Sequence, residues 1–153
     1  MNKLSLIAAM TIALSGTVAF AHKGHEHATG VVRERMEMMT EMGDRLLAIS
    51  KRLRANKELD RIASDARAIR DASSKIASQF PPGSTQFPTA AKPVVWQQWD
   101  DFSEKAKKLQ IEAEKLSTTS ASDGDALRNQ FRAVAFACDG CHETYRTPKE
   151  STR

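Results

Sequence analysis

The chain has 153 residues, 41% hydrophobic and 6% aromatic, with 23 Lys and Arg against 19 Asp and Glu for a formal net charge of +4. That length suits one domain around one core. The two charge signs are interspersed, with no arginine-rich arm and no aromatic stacking platform, which excludes a nucleic-acid binder.

Residues 1–21 read as a cleaved secretory signal peptide. Lys3 supplies a positive n-region, Leu4 to Leu14 is largely apolar, and Ala19-Phe20-Ala21 matches an A-x-A cleavage site. The apolar run is too short and too diluted by Ser, Thr and Gly to span a bilayer, so no stable membrane insertion is expected. The mature chain then starts at His22 and carries about +3, because Lys3 is the only charge removed. Residues 22–29, with His22, His25 and His27, lack apolar periodicity and are expected to form a flexible His-rich tail. Such a tract can hold copper, nickel or zinc loosely; the competing reading is a plain polar tail.

From Gly30 to about Ala55, Val32, Met36, Met39, Met42, Leu46, Ile49 and Leu53 recur at helical spacing and predict a first helix. A second pattern runs from Leu59 through Ile62, Ala66, Ile69, Ser73 and Ile76 to Phe80, where Pro81-Pro82-Gly83 stops it. Residues 81–93 hold four of the five prolines and read as an ordered crossing loop. A third helix is expected from about Pro93, with Trp96, Trp99, Phe102, Ala106, Leu109, Ala113 and Leu116 on one stripe. The two indoles are expected to pack in the core and at the bundle end. Thr118 to Gly124 breaks the pattern, and Ser122 or Asp123 can cap a last helix bearing Leu127, Phe131, Val134, Ala135, Cys138, His142 and Tyr145. Four helices with no strand between them predict an all-α fold. The arrangement expected is an antiparallel up-down-up-down four-helix bundle over residues 30–147, with residues 148–153 as a C-terminal tail.

The last helix carries Cys138-Asp139-Gly140-Cys141-His142, which contains both cysteines of the chain. C-x-x-C-H is the spacing of covalent haem attachment. Two thiols add to the two vinyl groups of haem, and the adjacent imidazole becomes an axial ligand of the iron. On a helix these three residues stand at i, i+3 and i+4 and share one face. No further cysteine exists to complete a four-thiolate zinc or iron–sulfur site. A thioredoxin-type dithiol belongs in a βαβ pattern, and no strand signal surrounds this motif. A partial zinc site on Cys138, Cys141 and His142 lacks an obvious fourth ligand nearby.

Three stretches carry a resemblance to the class II c-type cytochromes, the cytochrome c' family. They are the segment from Ala137 to Arg146 with the haem motif, Val31 to Met39 in the first helix, and Lys92-Pro93-Val94-Val95-Trp96 at the start of the third. The likeness spans Val31 to Arg146, and the family's fold is the bundle already expected from periodicity. It implies one covalent haem c, with Cys138 and Cys141 as anchors and His142 as proximal iron ligand. The family divides into a five-coordinate branch with an apolar residue over the iron and a six-coordinate branch with methionine there. Its distal residue stands four positions after an arginine of the first helix, here Arg35, which implies Met39 as distal ligand.

Met36, Met38, Met39 and Met42, all the methionines of the mature chain, lie within seven residues. Core packing is the competing explanation for this cluster. Arg35 and Arg146 are expected as haem-propionate contacts, against the alternative of solvated helix arginines. Tyr145 is expected to pack beside the porphyrin, and Phe131, Val134 and Ala135 to form its apolar wall.

The resulting expectation is an electron carrier, not an enzyme, since no catalytic nucleophile, carboxylate pair or phosphate loop is visible. Export and covalent haem together indicate the periplasm of a Gram-negative bacterium, with periplasmic redox proteins as partners and a homodimer allowed by the family. Two rivals stand beside this reading. One is a gas-binding protein for nitric oxide or carbon monoxide of the five-coordinate type, and the other a metal-handling protein that uses the His-rich tail.

Overall fold

The computed structural model describes residues 27–148, so the expected signal peptide, most of the His-rich tail and the last five residues lie outside it. Among the described residues five α-helices form: α1 (Gly30–Ala55), α2 (Ile62–Ser73), α3 (Val94–Gln97), α4 (Trp99–Thr118) and α5 (Gly124–Tyr145). The bundle starts slightly earlier than periodicity implied. Ala28, placed in the expected tail, is buried against it.

Helix α1 matches its expected span and ends where Asn56 adopts the left-handed conformation at φ 49°. The amides of Asn56 and Lys57 turn back to the carbonyls of Leu53 and Arg52, which otherwise lack partners at a helix end. Arg52 and Arg54 in the last turn face the negative end of the helix dipole. Arg52 and Arg45 also pair with Asp65 of α2, joining the two helices along a half-buried seam.

The second helix is shorter than the apolar pattern implied. Its α-helical part stops at Ser73, and a separate 3₁₀ turn over Ala77–Gln79 carries the chain to Phe80. Serine hydroxyls explain the stop. Ser73, Ser74 and Ser78 each donate to a carbonyl three or four residues back, competing with the helical ladder. The third expected helix is also divided, by Gln98 at φ −120° and ψ 48°. This break turns Trp99 outward, 38% exposed, so it does not share the buried stripe of Phe102. Trp96 stays inside, with its indole N–H donating to the Phe80 carbonyl at 3.0 Å.

At the start of α5 the Asp123 carboxylate accepts the Ala126 amide at 2.9 Å, the N-cap expected from sequence. Asp123→Ala should lower unfolding stability by about 1 kcal/mol, read as a reduced denaturant midpoint with unchanged slope. A shift indistinguishable from zero would show that the cap is idle.

The long helices pack as a ring, α1 against α2 and α5, and α4 against α2 and α5. This is a four-helix bundle, with α3 as a short prelude to α4. One end is solid: Ile49, Ile62, Ala66, Ala113, Leu116 and Leu127 are almost wholly buried there. The other end, where α1 and α4 begin and α2 and α5 finish, holds the site.

Candidate haem site

Antiparallel packing brings the start of α1, the end of α2, the start of α4 and the end of α5 around a cavity of about 680 Å³. That is the size class of a cofactor pocket. Ile69, Ile76, Phe80, Val95, Phe102 and Leu109 give it apolar walls. Ala90 and Ala91 of the crossing loop close the end. Exposed Gly43 of α1 and exposed Asp139 of α5 both line it, so its mouth lies between those two helices.

Cys138, Cys141 and His142 all line the cavity, from consecutive turns of α5, and each is half-buried. Cys138 and Cys141 form no disulfide with each other. Burial, then the neighbouring Asp139 carboxylate and the other thiol, pushes Cys138 up to about 11. Cys141 is likewise raised to about 11, chiefly by burial, with Asp101 adding to the rise and Lys105 opposing it. A redox dithiol needs the opposite shift, because the thiolate is the nucleophile. The shift runs against the direction that favours a reactive dithiol.

Burial, reinforced by the Arg146 charge, lowers the His142 pKa and keeps the imidazole neutral, the form that ligates a metal. Among the described residues no set of three or more His, Cys, Asp or Glu is placed to hold a bare metal ion. Two thiols and a neutral imidazole on one wall of a large apolar cavity suit a flat, covalently attached metallocycle better.

Met36, Met39 and Met42 of α1 line the cavity from across α5, while Met38 packs outside it. The Met42 sulfur lies 3.9 Å from the Ser73 hydroxyl, whose proton goes to the Ile69 carbonyl, so it is turned toward α2.

The remaining expected site residues fare differently. Tyr145 is in the cavity wall, with its ring edge against Phe102 at 5.2 Å and its hydroxyl donating to the Asp101 carboxylate at 2.5 Å. Burial and that carboxylate raise its pKa to about 12, so it stays a neutral phenol. Arg146 lines the cavity, half-buried, and its backbone bridges antiparallel to Ala91.

Arg35 also lines the cavity, but it is not a solvated helix arginine: it is 2% exposed. Both of its terminal amino groups are engaged by the crossing loop. Phe131, Val134 and Ala135 do not line the cavity, which corrects their expected role as its wall. They precede Cys138 on α5 by up to two turns, roughly 10 Å of helix rise. Val134 belongs instead to the bundle core, and Phe131 packs against it.

Phe80, Phe102 and Lys105 supply wall that sequence reading did not assign. The apolar stripes of the second and third helices already contained the first two. Ser84 and Thr89, which hold Arg35, carried no sequence signal.

Comparison with known proteins identifies the family. The cytochrome c' family model matches residues 30–146. The chain belongs to the cytochrome c' family. It is 32% identical over 127 residues to cytochrome c-556 of Agrobacterium tumefaciens (strain II Chrys), covering 78% of this chain and 99% of the relative. It is 31% identical over 118 residues to cytochrome c' of Pararhodospirillum photometricum, covering 75% and 94%. Its fold superposes on cytochrome c' from Rhodopseudomonas palustris with a TM-score of 0.74 at 27% identity, over 80% of this chain and all of that one. As a family member the chain carries covalently bound haem c, with Cys138 and Cys141 present for its attachment.

Proposed function

We propose that the protein is a mono-haem carrier of single electrons, with His142 as proximal and Met39 as distal iron ligand. The observation that carries this reading is that His142 on α5 and Met39 on α1 reach one cavity from two helices. When bound, the haem supplies an iron that accepts and releases one electron. The neutral His142 imidazole offers a lone pair on one side. Met39 offers a soft, neutral thioether on the other, a donor that favours ferrous iron and raises the potential. Met39 is a better ligand than Met42, whose sulfur is turned to Ser73.

The apolar walls would keep water from a bound iron, and the mouth between α1 and α5 would give a redox partner access to the cavity. Arg146, on the wall with no ion pair among the described residues, is free to meet a propionate. The reading needs no substrate turned over by the protein.

The sequence features of export support a periplasmic setting, with periplasmic redox proteins as donor and acceptor. No helix among the described residues is long and apolar enough to cross a membrane. A homodimer is compatible with this assignment.

One optical titration tests it. The ferric protein should be low-spin, and the ferrous protein should bind carbon monoxide slowly. Rapid carbon monoxide binding by the native ferrous protein would put the gas-binding reading first.

Removing residues 22–27 should leave the visible spectrum and the reduction potential unchanged, because Met39 already stands on α1 in the cavity wall. A change to high spin on that deletion would identify a tail histidine as the distal ligand. Copper binding abolished by the deletion would support metal handling.

A further inference from the structure

Arg35 is a buried cation with no ion pair among the described residues. Its Nη1 donates to the Ser84 hydroxyl at 2.8 Å and to the Gln79 carbonyl at 3.4 Å. Its Nη2 donates to the Ser84 carbonyl and the Thr89 hydroxyl, each at 2.6 Å. The guanidinium also lies over the Phe80 ring, 4.7 Å from its centroid. One side chain on α1 thus grips four residues at the entry to and within the crossing loop, 44 to 54 positions away.

The loop presents those acceptors by its own chemistry. Pro82 and Gly83, the latter at φ +80°, form a tight turn closed by the Ser84 amide on the Pro81 carbonyl at 3.2 Å. The Ser84 hydroxyl donates to that same carbonyl at 2.8 Å, which leaves its lone pairs for Arg35. Between residues 81 and 89 the loop's other hydrogen bonds span two or three residues, except at Pro81, whose carbonyl also accepts the Trp96 indole N–H at 3.2 Å. Beyond that stretch, backbone bonds hold it to the end of α5, through the Lys92 amide on the Tyr145 carbonyl and the Thr147 amide on the Ala90 carbonyl. Phe80, Thr89, Ala90 and Ala91 of this region form cavity wall.

We propose that Arg35 is a positioning residue that latches the crossing loop onto α1 and so keeps the loop end of the cavity shut, leaving small ligands only the mouth between α1 and α5. The inference deepens the electron-carrier reading by naming what guards its distal side, yet the latch is tested separately from it. Lysine cannot replace the arginine, because one ammonium cannot serve acceptors spread across a guanidinium fork.

The test uses the haem-loaded full chain. In Arg35→Lys and Arg35→Met the amides of Ser84, Thr85 and Thr89 should exchange hydrogen at least about tenfold faster than in the native protein. The double variant Ser84→Ala/Thr89→Val, which keeps the cation and removes two acceptors, should shift them in the same direction. In a Met39→Ala background, where release of the thioether no longer limits the rate, adding Arg35→Lys should speed carbon monoxide association several-fold.

Native-like loop exchange in Arg35→Met overturns the proposal. So does full rescue by Arg35→Lys, which would assign the residue a purely electrostatic role. Because amide exchange does not depend on which group ligates the iron, failure of the carrier reading would leave this result standing.

Discussion

Met39→Ala should convert the ferric protein from low spin to high spin, lower its reduction potential and open the ferrous form to rapid carbon monoxide binding. Loss of a thioether removes a soft donor that stabilises ferrous iron, and axial ligation is the largest lever on haem potential, spanning roughly 0.8 V across haem proteins. The controls sit in the same cluster. Met42 is buried and turned toward Ser73, so Met42→Ala should destabilise the fold by roughly 2–5 kcal/mol through cavity formation while the spectrum stays low-spin. Met36→Ala should likewise leave the spin state intact. If Met42→Ala or Met36→Ala makes the change and Met39→Ala does not, the distal assignment moves to that sulfur. If none does and the native ferric protein is already high-spin, the iron is five-coordinate and the gas-binding reading takes first place.

Replacing Cys138 and Cys141 together by serine should give protein that surrenders its haem to acidified organic solvent, whereas the native protein should retain it through that extraction. Both thiols line the cavity, and serine cannot form the thioether links. The same variant should be markedly less stable, because haem held in the cavity between the helices would contribute its binding energy to folding. Haem released from the native protein would refute covalent attachment through this pair. His142→Ala tests the remaining part of the motif and should abolish the native spectrum even where the thioether links form.

Some of this architecture was open to inspection in the amino-acid order. The span of α1, the Asp123 cap of α5 and the shared face of Cys138, Cys141 and His142 are local: each depends on residues within one or two turns, where helical spacing and hydrogen-bonding chemistry suffice. Both errors of segmentation were also local, but they came from reading apolar residues alone. The 3.6-residue pattern continued from Ile62 to Phe80 and from Trp96 to Trp99, while the serine hydroxyls and the bend at Gln98 ended the helices.

The composition of the cavity wall could not be read so directly. Periodicity marks which face of a helix is buried, not whether it meets a cofactor or another helix, so Phe131 and Val134 resembled haem wall as well as Phe80 and Phe102 did. Which level of α5 lines the cavity follows from how four helices register against one another. The fate of Arg35 is the clearest case. On α1 it stands one turn before Met39, and its sequence neighbours say nothing about Ser84 or Thr89. The sequence by itself determined the helices, the attachment motif and the methionine cluster, because those are encoded at short range. Only the tertiary structure decided that three methionines face the motif across one cavity and that a buried arginine holds the loop beside it, because such contacts join residues that chain folding alone brings together.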